Sequence, residues 1–104
     1  MPARAVKSRV PPARTHPWML RTGVPPSHED RFFASWSTAK ARITSDLSGF
    51  EDKFRLLGDK AGLAAVAHLR EQSIAMVGPG TVAGTLDGDR RIMYRAELIR
   101  RQEL

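Results

Sequence analysis

A chain of 104 residues, 41% hydrophobic and 27% charged, has room for one domain with one small core. It has no cysteine, which excludes disulfides and thiolate metal sites, and no apolar run of about 18 residues, so no membrane-spanning helix is expected. The net charge of +6 is uneven. Arg4, Lys7, Arg9, Arg14 and Arg21 meet no acid in residues 1–27, whereas the remainder sets twelve Lys and Arg against eleven Asp and Glu.

Residues 1–27 also hold six of the seven prolines, Pro2, Pro11, Pro12, Pro17, Pro25 and Pro26. Proline removes backbone donors and biases its predecessor towards extended geometry, which predicts neither a stable helix nor a central strand here. The reading is an extended basic arm, either a solvated, partly disordered tail or one that neutralises nucleic-acid phosphates or threads along an acidic neighbour. Its composition is that of a transit peptide, but this proline density opposes the amphipathic helix such peptides form, and no apolar secretory core is present. Trp18, Met19 and Leu20 form an apolar triplet inside the arm, which points to docking on a surface.

Ser27 followed by Asp30 fits a capping box and predicts a helix start carrying Phe32, Phe33 and Trp36. Residues 38–47 fork. As helix, Phe32, Trp36, Ala39, Ile43 and Leu47 keep one stripe; as strand, Ala39, Ala41, Ile43, Ser45 and Leu47 alternate with polar residues. The cleaner alternation favours a strand after a short helix. Ser48-Gly49 then reads as a break, and Phe50, Phe54 and Leu57 mark the face of a short helix.

Gly58 and Gly62 bracket a turn, and Leu63, Val66, Ala67, Ile74 and Val77 line the next helix, with Leu69, Ser73 and Met76 alongside. Gly78-Pro79-Gly80 ends that helix. Asp87-Gly88 between residues 81–86 and 90–98 is a hairpin signal, with Ile92, Tyr94, Ala96 and Leu98 on one face and a last helical turn beyond; the rival is a helix with Ile92, Ala96 and Ile99 as its stripe and Glu97 paired with Arg101. Together these elements predict an α+β fold: residues 28–104 as one small domain of two or three helices on a short antiparallel sheet or hairpin, preceded by the arm over 1–27.

Chemistry has few footholds. His16, His28 and His68 are isolated from each other and from ligand-spaced partners, so no metal or other cofactor is expected. The carboxylate pairs Glu29-Asp30, Glu51-Asp52 and Asp87/Asp89 fit helix first turns and a turn. Gly78–Gly84 lacks the Lys-Ser/Thr ending of a phosphate loop, and no Ser or Thr has an identifiable base. The chain reads as a non-enzyme with no small-molecule substrate.

Two functional expectations follow. The layout of residues 43–86 resembles a family of tailed-bacteriophage neck and tail-completion proteins. It offers Ile43-Thr44-Ser45-Asp46-Leu47-Ser48 as a strand and Gly49-Phe50-Glu51 opening a helix. Leu56-Leu57-Gly58-Asp59-Lys60 then makes a turn, Ala67-His68-Leu69-Arg70-Glu71 a second helix, and Pro79 precedes Gly84-Thr85-Leu86. The resemblance implies a virion subunit, assembled in the host cytoplasm, that forms a ring and binds neighbouring virion proteins through arms and hairpins. The alternative is a small cytoplasmic DNA-binding protein of winged-helix type, with Arg90 and Arg91 at the wing tip. Candidate partner-binding residues on the two readings are Arg4, Lys7, Arg9, Arg14, Trp18, Leu20, Arg21, Arg90 and Arg91.

Overall fold

The computed structural model describes residues 10–24, 26–87 and 92–102. Along the chain come β1 (Trp18–Thr22), β2 (Glu29–Phe33), α1 (Trp36–Leu57), α2 (Lys60–Ala75), β3 (Gly80–Asp87) and β4 (Ile92–Arg100). The strands form one antiparallel sheet in the order β2-β1-β4-β3, and both helices lie on one face of it. The α+β class is as the sequence implies. Strand alternation explains the core: Leu20, Val82, Leu86, Tyr94, Ala96 and Leu98 all point from the sheet towards the helices.

Several boundaries differ from the expectation. Residues 18–22 are a central strand, with Trp18 opposite Phe33 on one side and Arg100 on the other. Pro17 and Pro25 bracket this segment and leave its backbone donors intact, so proline density does not forbid the strand. Residues 29–33 are β2 and not a helix start. Asp30 does not join a capping box; its carboxylate accepts from Arg21 Nε at 2.8 Å and Nη2 at 3.1 Å across the strand pair.

The helix starts later. Ser35, with extended backbone, accepts a 3.2 Å bond from Thr38 N–H and begins a helix of 22 residues. Residues 38–47 are therefore helical, and α1 runs through Ser48-Gly49 without a break. Ala39, Ile43 and Leu47 recur every four residues and form its buried stripe with Phe54. Gly58 ends α1 in the left-handed region (φ 66°), and Asp59 accepts from Gly62 N–H at 2.9 Å to start α2. Gly62 is also required by packing: a Cβ there would stand 2.6 Å from the Phe54 ring.

The β3–β4 hairpin matches the sequence reading, but α2 stops at Ala75, ahead of the expected Gly78–Gly80 stop, and β4 continues to Arg100 where a last helical turn was expected. Of the residues expected to line α2, Val66 is buried, with Leu69, Ser73 and Met76; Ala67, Ile74 and Val77 face out.

Candidate interaction surfaces

Three surfaces draw side chains from separate elements together. The first is a cleft of about 530 Å³ between α1 and the β1–β2 hairpin, lined by Arg31, Arg42, Asp46, Phe50, Lys53 and Tyr94 among others. Its charges are largely spoken for. Arg31 Nη2 lies 3.0 Å from Glu29, and Arg42 Nε lies 3.3 Å from Asp46 Oδ1, a contact made off the hydrogen-bond line. Tyr94 sits at the floor, edge-on to Phe50, and its hydroxyl donates to Asp46 at 3.5 Å. Burial first, and then the Asp46 charge, push the Tyr94 phenol well above its ordinary range, so it stays a neutral donor.

The second surface is a hollow of about 430 Å³ at the far end of β4, lined by Ala13, Arg14, Pro17, Arg100, Arg101 and Gln102. Arg101 builds its wall. Its backbone N–H donates to Pro17 C=O at 2.7 Å, and Nη1 donates to the carbonyls of Pro11 and His16 at 2.8 and 3.0 Å. The same guanidinium lies 4.6 Å over the Phe32 ring, and Arg100 lies 5.4 Å over Trp18. Residues 10–17 are thus fastened to the end of the sheet.

The third surface is divided between the two ends of the helical hairpin. Leu56 and Leu57, beside the α1–α2 turn, are 89% and 68% exposed; Ile74, in the last turn of α2, and Val77, just past its end, are 70% and 94% exposed. The second end is fixed by Lys40, whose ammonium donates to the carbonyls of Ile74 and Met76 at 3.3 and 3.0 Å. The sixteen residues of α2 put about 24 Å between these ends.

The residues singled out from sequence scatter over this map. Leu20 is fully buried and belongs to the core, not to a contact surface. Trp18 is half-buried against that core, under Arg100. Arg21 is committed to Asp30 on the open face of the sheet; its guanidinium holds the Asp30 carboxyl below its usual range. Arg14 alone stands on a candidate surface. Arg4, Lys7, Arg9, Arg90 and Arg91 lie outside the described residues. Arg100 and Arg101 were missed, although a paired arginine closing an alternating strand is itself a visible signal.

The wing expected on the winged-helix reading is preceded here by two antiparallel helices lying on the sheet, with two further strands ahead of them. Among the described residues no three His, Asp or Glu side chains are grouped to hold a metal ion, and no helix is long and apolar enough to cross a membrane. Compared with protein-family models, curated proteins and solved structures, the chain finds no match.

Proposed function

We propose that this protein is a non-enzymatic assembly subunit that associates head to tail with copies of itself. The separation of two unlike apolar ends on one helical hairpin carries this reading. A head-to-tail contact needs two different patches on distant parts of the surface, and it closes into a ring when the rotation permits. Leu56 with Leu57 supplies one patch and Ile74 with Val77 the other. Scattered exposed apolar side chains are ordinary, but pairs of them near both ends of one helical hairpin suit an interface.

The tailed-phage neck or tail-completion setting is the specific form of this proposal. It draws on the resemblance over Leu56–Leu86, because Ile43–Ser48, a strand in that pattern, and Gly49-Phe50-Glu51, a helix start in it, both lie inside α1 here. Neighbouring virion proteins are then its other partners, and the virion is its place.

Light scattering coupled to size-exclusion chromatography tests the reading. The intact chain is expected to form an oligomer larger than a dimer that persists in moderate salt. L56D/L57D and I74D/V77D are each expected to be folded monomers. Mixed together they retain one intact patch apiece and should give a dimer. A monomer at every concentration, or a mixture that stays monomeric, overturns the proposal.

A further inference from the structure

Six of the nine described arginines contact a carboxylate: Arg21, Arg31, Arg42, Arg55, Arg70 and Arg95. The three that contact none among the described residues, Arg14, Arg100 and Arg101, are all gathered round one hollow. No Asp or Glu lines it among the described residues. Like charges drawn together without counter-charges repel, and among the described residues the other arginines are paired while this group is left open. The group is also partly set in place. Arg101 is held by two carbonyls and the Phe32 ring, while Arg100 rests on Trp18, which lowers the side-chain entropy lost on capturing an anion.

We infer that this hollow binds the phosphodiester backbone of a nucleic acid without reading its sequence. Guanidinium groups present planar forks of N–H donors that match phosphate oxygens, and several of them at one place suit a polymer with regularly repeated charge. Residues 1–13, which lead into Arg14, are free of acid and carry Arg4, Lys7 and Arg9, so the sequence extends the same charge. Ala13 and Pro17 offer no polar side chain and Gln102 is the one amide in the lining, so three guanidinium charges dominate it and favour phosphate over base edges. The site is separate from the apolar ends, and it stands or falls independently of self-association.

The test measures binding of the full chain to a fluorescent duplex of about 20 base pairs, two helical turns, as salt is raised. The expected plot of log affinity against log salt is linear. R14A and R100A should each lower its slope by about 0.9, and the double variant by about 1.8. Both residues are exposed, so the fold should survive; circular dichroism checks this. R14K/R100K should keep the slope, and R55A, which changes an arginine elsewhere, should leave it unmoved. Arg101 is spared because it fastens residues 11–17. Absence of duplex binding at low salt, or an unchanged slope in R14A/R100A, overturns the inference. So does displacement of the duplex by poly-glutamate at equal charge, which would assign the hollow to an acidic protein.

Discussion

The side-chain amide of Gln72 on α2 pairs with the backbone of Ala83 on β3 at both ends: Nε2 donates to the Ala83 carbonyl at 3.1 Å, and Ala83 N–H donates to Oε1 at 3.1 Å. Since β3 is an outer strand of the sheet, these groups face away from β4 and would otherwise be open to a foreign strand. The amide takes the place of a neighbouring strand. Gln72→Ala is expected to cost about 1–3 kcal/mol in urea unfolding, because it leaves both partly buried groups without their partner. Gln72→Glu should be no better, since a carboxylate cannot donate to the carbonyl. Light scattering of either variant should rise on storage. An unchanged urea midpoint in both would show that water serves Ala83 equally well.

Gly62 makes a second, opposite prediction to propensity. Alanine is a better helix former than glycine by about 1 kcal/mol. Its Cβ would, however, stand 2.6 Å from the Phe54 ring, which is itself buried. Gly62→Ala is therefore expected to destabilise by about 1–3 kcal/mol despite the propensity gain. Phe54→Leu should weaken the intact protein and yet relieve much of the Gly62→Ala penalty. Thermal unfolding of both single variants and the double variant measures this coupling, and additive losses would rule it out.

Acid should act through two bidentate pairs. Arg21 hydrogen-bonds Asp30 and holds its carboxyl below the ordinary 3.8, and Arg70 hydrogen-bonds Glu51 and holds it below the ordinary 4.5. A carboxyl with a lowered folded value binds fewer protons folded than unfolded. Its stabilisation is complete above the unfolded value and is lost as pH falls through the folded one. Stability is expected to fall from about pH 4.5 downward, with added salt flattening the fall. Glu51→Gln and Asp30→Asn should each make the acid slope shallower. The same slope in E51Q/D30N as in the intact chain would exclude these pairs as its source.

Alkali offers a cleaner readout, because Tyr94 is the only tyrosine. Burial and Asp46 raise its folded value above the ordinary 10.0, so the folded protein holds the phenolic proton more tightly than the unfolded chain. The stabilisation is full below pH 10 and is lost as pH rises towards the folded value. The phenolate absorbance is expected to appear together with loss of helical circular dichroism, not before it. An absorbance step in the folded protein near the ordinary value would place the ring in water.

These elements were not equally legible in the sequence. The β3–β4 hairpin was readable because Tyr94, Ala96 and Leu98 alternate after an Asp-Gly turn signal, whereas the rival helical stripe of Ile92, Ala96 and Ile99 leaves Tyr94 and Leu98 on another side. Ala39, Ile43 and Leu47 were ambiguous for a geometric reason: a spacing of four is a helical repeat and also an even number, so it satisfies both periods. Ser35, whose hydroxyl accepts from Thr38 N–H, decides between them, and the Ser27-Asp30 pair masked it by offering an earlier cap. β2 was hidden because Glu29-Asp30-Arg31 has the charges of a helix first turn; the Arg21 partner that makes it a strand lies nine residues away. The hollow was half visible. Arg14 could be named from sequence, but only the sheet places it beside Arg100 and Arg101, more than eighty residues on.

The first strand and the last are neighbours at the centre of the sheet, and the Arg101 N–H bonds to the Pro17 carbonyl at 2.7 Å. During synthesis β1 can pair with β2, but its other flank waits until β4 has left the ribosome, so the sheet is completed late. The same closeness makes the fold a candidate for circular permutation: a short linker from Arg101 to Pro17, with new ends opened at the α1–α2 turn, would preserve every strand pairing while breaking the helical hairpin's covalent link.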